Sequence, residues 1–293
     1  MLSGFACAVP AIMAARSINS KKERWLATFI IPFMTCSARL PVYALLLAFL
    51  FWDKPFIAGI CLAALYFGGL VVGLVASGIL NLIVKAKTPS FFLMELPLYR
   101  RPKIMVVFRN SLRRTKAYIT KTAPIILTLS VALWVLTNFP NIRSHDPQTR
   151  LEQSWVSSIG RRIEPVFAPM GVDWRVGVGL ISAFAARETF VSSMAVLFNA
   201  TDSVAASGGN EDSLRASLIE RMRDAKMPNG APVFTVASVA ALLVFFMLAL
   251  QCLSTTSVAY REMQSSRFAI LQLVSMNVLA YICAVGTYWV LSR

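Results

Sequence analysis

From Phe56 to Val84 the chain runs 29 residues without a single charged side chain. A bilayer core of roughly 30 Å takes about 20 mostly apolar residues per helical crossing, so this one stretch is long enough to span. Blocks of similar character recur at Ala123 to Phe139, Val176 to Phe198, Val233 to Ala259 and Phe268 to Ser292. A water-soluble domain has no means of burying so many helices that are apolar all round. Composition agrees: 57% of residues are hydrophobic and 15% charged, against about 25% charged in soluble domains. Mean hydropathy is +0.63. The chain therefore reads as an all-α, polytopic integral membrane protein.

Six spans are expected: about 25–52, 56–84, 118–139, 176–198, 233–259 and 268–291. Pro32, Arg39 and Pro41 interrupt the first, and proline at both ends of Pro32–Pro41 predicts a broken helix. The segment before Arg16 reads as the tail of a further helix or a re-entrant piece. In the second span, Gly69 and Gly73 stand four apart, the small-residue spacing that lets helices approach closely.

Net charge is +15 and is unevenly spread. Between Lys85 and Lys116 there are nine Lys or Arg and only Glu95 to oppose them. Basic residues in a short loop between spans mark the cytoplasmic side and meet anionic lipid head groups. The charge therefore points to membrane lipids as partners and not to nucleic acid. The stretch up to Arg24, with four basic residues and one acidic, is expected on that same side. Pro140 to Arg175 is near balance and is expected outside, with an amphipathic interfacial helix over 154–167. Alternation of six spans returns Asn199 to Pro232 to the inside, although its four basic and five acidic residues give no support. A short helix is expected there over 212–224.

Charges within spans are costly and mark cavities, partners or substrate paths. Arg187 and Glu188 lie in the fourth span and Arg39 in the first. Structural ion pairing with Glu188 and direct lining of a transport path are both open. Glu188 and Ser192 share a helix face. Cys252, Thr255 and Thr256 form a second polar face, late in the fifth span. The five cysteines show neither metal-finger spacing nor a disulfide framework. There is no phosphate-binding loop, no H-E-x-x-H and no G-x-S-x-G, so no nucleotide-binding or catalytic residue is assigned and the chain does not read as an enzyme.

Several strings resemble one family closely, the FeoB ferrous iron transporters. They are Gly4-Phe5-Ala6-Cys7-Ala8-Val9-Pro10-Ala11-Ile12 followed by Arg16, and Pro32-Phe33-Met34-Thr35-Cys36-Ser37-Ala38-Arg39-Leu40-Pro41-Val42-Tyr43. Glu95-Leu96-Pro97, Pro165 to Arg175, Phe184 to Glu188 and Gln251 to Thr255 complete the set. The resemblance implies that 1–24 ends a first gate region. Residues 25–112 form the family's C-terminal membrane region, with the basic loop 85–116, and 113–293 hold a second gate and the last helices. It covers only the C-terminal part of the family's architecture: these residues have no counterpart to its GTP-binding and regulatory domains.

The resemblance further implies a permease that moves Fe(II) across the bacterial inner membrane as a transported ion, with no permanently bound cofactor. Its path would involve Cys7, Cys36, Cys252, Glu188, Ser254 and Thr255, with Pro10, Pro32, Pro41, Arg39 and Arg187 in structural or gating roles. Thiolate and oxygen ligands together hold such an ion weakly enough to release it. Implied partners are a separate GTPase-bearing N-terminal chain, small cytoplasmic accessory proteins and further copies of the chain. The rivals are a gate-type transporter of another divalent metal or a nucleoside, and a non-conducting remnant or scaffold.

Overall fold

The computed structural model describes residues 2–18, 20–52, 54–83, 103–138, 155–184, 187, 189–198, 211–225, 230, 232–250 and 252–293. Among these, every regular element is helical and none is a strand. Glu188, Gln251, the stretch 84–102 with Glu95, and the stretches 139–154 and 199–210 lie outside the described residues.

The first expected span is broken as the prolines require. A short helix α1 (Ala8–Ala14) precedes it, and α2 covers Lys21–Ile30, started by Ser20, whose hydroxyl accepts from the Glu23 amide. A 3-10 turn at Ile31–Phe33, an extended link and a second 3-10 turn at Ser37–Arg39 then lead into α3 (Leu40–Leu50). Pro41 sits in the first turn of α3, where a missing amide hydrogen costs nothing. Helix α4 (Pro55–Ile83) is unbroken and runs back along α3 and α2. It buries only Gly69 and Gly73. A methyl group at Gly69 would stand 2.7 Å from Thr35 Oγ1 and 3.3 Å from the Phe33 carbonyl. One at Gly73 would reach Ile30 and Phe33 at 3.6 and 3.8 Å. The glycine pair thus lets α4 lie against the broken segment, while Phe67, Leu74 and Leu82 point outward into what a bilayer would fill.

Helix α5 (Ile104–Asn138) takes in the expected third span but begins well before it. The latter part of the basic loop, through Arg109, Arg113 and Lys116, is therefore helical. Lys and Arg are good helix formers, so charge ended the apolar run without ending the helix. Helix α6 (Trp155–Phe167) matches the expected interfacial segment.

The fourth expected span is not a crossing. It divides into α7 (Trp174–Ala183) and α8 (Thr189–Leu197), of 10 and 9 residues. At about 1.5 Å per residue neither reaches much beyond half the bilayer core. The two lie antiparallel. Arg175 at the start of α7 stacks its guanidinium 5.6 Å from the Phe198 ring just past the end of α8. Ser182 Oγ and Ser193 Oγ are 2.7 Å apart, and Thr189 Oγ1 donates to the Ser182 carbonyl at 2.9 Å. Gly179 leaves room for Met194 and Phe190. The pair enters the bundle, turns near Arg187 and comes back to the end where it started.

Helix α9 (Glu211–Asp224) occupies the short helix expected at 212–224. The fifth expected span is α10 (Val236–Leu248) followed by α11 (Leu253–Met263), interrupted at 249–252. Thr235 and Ser238 cap α10 reciprocally. Gln264 adopts a left-handed backbone, φ 52°, to close the tight turn into α12 (Ser266–Leu291). Helix α12 packs along α10 and forms the spine of the bundle. Among the described residues, four segments are long and apolar enough to cross a membrane: Lys21–Leu50, Pro55–Ile83, Val236–Met263 and Ser266–Leu291.

The hairpin also moves a loop. At one end of the bundle Trp25 and Phe29 pack on Phe268, with ring centroids 5.3 and 6.1 Å apart, so the starts of α2 and α12 lie together. At the opposite end Phe234 packs 5.7 Å from both Phe49 and Phe198. Arg223 of α9 stacks there on Trp52 and Phe49, at 5.4 and 5.9 Å. The connection 199–232 therefore leaves and rejoins the bundle at the end opposite Ser20. This corrects its expected placement on the same side as the N-terminal stretch, which assumed that 176–198 crosses.

Candidate functional site

The interruptions meet at mid-bundle. Ser37 Oγ donates to the Ala6 carbonyl at 2.9 Å, joining the break before α3 to the turn before α1. The Leu253 amide donates to the Phe184 carbonyl at 3.1 Å, joining the break after α10 to the tip of the α7–α8 hairpin. Two buried arginines bind this junction together. Arg39, 1% exposed, donates from Nη1 to the Met247 carbonyl at 2.7 Å and from Nη2 to Pro32 and Ala249 at 3.0 and 3.5 Å. Arg187, 4% exposed, donates from Nη2 to Ala249 at 2.6 Å and from Nη1 to Phe246 at 3.3 Å. Asn277 Nδ2 takes the Leu250 carbonyl at 3.1 Å.

The reason is a helix that stops inside the protein. The last carbonyls of α10 have no intrahelical donors, and they lie among buried residues. Two guanidinium groups and one amide supply the donors, and the positive charge suits the negative end of the helix dipole. The arginines thus act on backbone; an ion pair with Glu188 concerns a residue outside the described ones.

The three path cysteines share one geometry. Cys7 is the N-cap of α1, Cys36 of the 3-10 turn at Ser37–Arg39, and Cys252 of α11, each with extended backbone. All are half-buried and outside any disulfide. Cys36, Cys252, Arg39 and Tyr43 lie within electrostatic reach of Arg187. Ser254 is half-buried and Thr255 buried in the first turn of α11, and Thr256 Oγ1 donates back to the Cys252 carbonyl at 3.4 Å. Pro10 stands in the first turn of α1 and is exposed, whereas Pro32 is buried in its 3-10 turn. Among the described residues, no group of three or more His, Cys, Asp or Glu side chains is arranged to hold a metal ion.

Other polar residues of the bundle carry weaker sequence signals. Arg16, exposed after α1, forms a bidentate ion pair with Glu262 at the end of α11. Asn277 is a lone amide in an apolar span, a legible sign of a polar partner, but nothing in sequence names Leu250 as that partner. Tyr43 ends the Pro32 to Tyr43 string and is fully buried. On the rim of the hairpin, Asp173 Oδ1 accepts from the Val176 amide at 3.1 Å and starts α7. Burial pushes its carboxyl above the usual range, opposed by that hydrogen bond and by Arg175.

Discontinuous helices whose breaks meet within the bundle, their freed carbonyls bonded by two arginines, define a polytopic membrane protein of broken-helix architecture. The Gate family, described as Nucleoside recognition, matches residues 1–50 and 119–266, and the family described as Ferrous iron transport protein B C terminus matches residues 62–114. The chain belongs to the FeoB family of ferrous iron transporters, as its C-terminal membrane portion. The Fe(2+) transporter FeoB of Leptospira biflexa is 35% identical over 290 residues, which cover 96% of this chain and 40% of that protein. Its namesake in Campylobacter jejuni is 33% identical, covering 97% of this chain and 44% of the relative. A Fe(2+) transport protein A/Fe(2+) transporter FeoB fusion protein of Porphyromonas gingivalis is 30% identical, covering 98% and 37%. The chain thus spans about 40% of the length of the curated relatives it matches. No solved structure matches it.

Proposed function

We propose that this chain is the permease portion of a FeoB-like transporter and that it passes Fe(II) through the junction of its broken helices. The carrying observation is the convergence of the breaks at 34–36, 184–189 and 249–252 around Arg39 and Arg187, with Cys36 and Cys252 beside them. A pore for a divalent ion needs ligands that bind and release. Half-buried sulfur and hydroxyl groups at helix starts suit that task better than a closed cage. Cys7, Cys36, Cys252, Ser254 and Thr255 line the path in this reading, and Glu188 adds its carboxylate. Arg39 and Arg187 hold the breaks in place.

The Ser20 end, with the basic segments, faces the cytoplasm of a bacterial inner membrane, and the 199–232 connection faces outward. GTP hydrolysis belongs to an N-terminal region outside these residues or to a separate chain. The Porphyromonas fusion supports a small accessory protein as a further partner.

The test is anaerobic radio-iron uptake in cells lacking their own Fe(II) transporters, with the chain expressed alone and together with a FeoB-type N-terminal half. Uptake restored by the pair supports the reading. No uptake with both proteins verified in the membrane turns it toward a scaffold or remnant. The Gate family's description favours a second cargo class, so competition by Mn(II), Zn(II) and nucleosides belongs in the same assay.

A further inference from the structure

Between α3 and α4, at the end of the bundle opposite Ser20, the two helices part and leave an apolar groove of about 410 Å³. Its walls are Ala44, Leu47 and Ala48 of α3 and Ala58, Gly59 and Leu62 of α4. The alanines and the glycine are too small to meet across the gap, and a methyl group at Gly59 would touch nothing within 4 Å. Phe56 and Ile60, on the same stretch of α4, are exposed on a helix that faces the bilayer. Phe51, Trp52 and Pro55 close one end of the groove at the turn between the helices. Trp52 is half exposed there, the usual posture of an aromatic ring at the boundary between hydrocarbon and water. Arg223 of α9 stands 5.4 Å from the Trp52 ring, and Lys54 lies in the turn itself. Both cations are exposed and, among the described residues, neither pairs with a carboxylate. Helix α4 begins at Pro55, so the positive end of its dipole lies at the same rim.

We propose that this groove binds one phospholipid, with an acyl chain lying between α3 and α4 and the phosphate resting on Lys54 and Arg223. The inference needs only a protein embedded in a bilayer and holds whatever the chain carries across. Two chemistries meet at one place: an apolar slot beside hydrocarbon, and a cationic rim at the depth of the head groups. A phospholipid offers both in the same order. Its acyl chain, one methylene wide, enters a slot that a protein helix about 10 Å across would only cover. Held by Lys54 and Arg223 together, the phosphate fastens α9 to the turn between α3 and α4.

The test uses the full chain purified in dodecyl maltoside, a detergent without phosphate. Photoactivatable phosphatidylglycerol is compared with a diacylglycerol of the same chains, and the cross-linked peptides are mapped by mass spectrometry. Phosphatidylglycerol should label 44–62 far more strongly than diacylglycerol. K54Q and R223Q should each lower its labelling about fivefold, the worth of one cation beside an anionic lipid, and leave diacylglycerol labelling unchanged. K54Q carries this result by itself, because R223Q also removes the stacking on Trp52. G59L fills the slot from a position whose Cβ meets nothing, and should abolish labelling there by both lipids. K21Q, at the opposite end of the bundle, should change neither. Equal labelling by the two lipids overturns the proposal, as does wild-type labelling in K54Q or labelling that survives G59L. Labelling of 44–62 by neither lipid also overturns it, and assigns the groove to a second copy or to another segment of the chain.

Discussion

Arg39 and Arg187 donate to the same oxygen, the Ala249 carbonyl, from two different chain breaks, at 3.5 and 2.6 Å. A single peptide group at the end of α10 thereby ties the break before α3 to the tip of the α7–α8 hairpin. The two gate-like halves are held at one point, and their geometry is set by backbone carbonyls that no substitution can remove.

Replacing Arg187 by Met leaves the Phe246 and Ala249 carbonyls short of donors among buried residues. Each such loss costs about 1–3 kcal/mol, so R187M should lower the thermal midpoint strongly and R187K should recover only part of it. Lysine has a single ammonium where two carbonyls need a fork. Unfolding followed with a thiol-reactive dye in nanodiscs measures both; a midpoint unchanged in R187M counts against the capping role.

Gly69 and Gly59 offer a contrast within one helix. G69A forces a methyl group against Thr35 Oγ1 and should destabilise by about 1–3 kcal/mol. G59A meets nothing within 4 Å and should stay within about 0.5 kcal/mol of wild type. Equal effects at the two positions would mean that α4 does not pack through Gly69.

Asp173 carries a pH signature. Burial raises its carboxyl pKa in the folded protein, so the folded state binds this proton more tightly than the unfolded chain. The folded state is therefore penalised as pH rises from the ordinary carboxylate value through the raised one. D173N keeps a good N-cap without the charge. Its stability relative to wild type should be more favourable at neutral pH than in acid, below the ordinary carboxylate range. A difference that stays flat across that window speaks against a buried, strained carboxylate.

The ends of the bundle can be labelled. In a background with the five native cysteines replaced, Cys at Asp224 or Arg293 should react with a membrane-impermeant maleimide from one side, and Cys at Lys21 only from the other. Asp224 and Lys21 reacting from the same side would restore a fourth crossing and dismiss the hairpin.

Much of this was legible from residue order. The uncharged run 56–84 fixed a membrane-length helix, because only length and polarity decide whether a segment can cross. Pro32 and Pro41 announced the first break, since proline lacks the amide hydrogen a continuous helix needs. Gly69 and Gly73 announced the close approach of α4. The second break, at 249–252, carries no proline or glycine and could not be seen; its carbonyls are freed because Arg39, Arg187 and Asn277 stand ready to bond them.

The α7–α8 hairpin marks the boundary between the two kinds of knowledge. Apolar content over 176–198 is the same for one helix that crosses and for two half-length helices that return. What decides is contact between positions that a straight helix would keep far apart: Arg175 with Phe198, Ser182 with Ser193, Gly179 with Met194. The sequence determined that this chain lives in a membrane and where its first helix breaks. Tertiary structure alone decided which apolar segment turns back, and with it the end of the bundle from which 199–232 emerges, because hydropathy records how well a residue tolerates lipid and not the direction in which the chain runs.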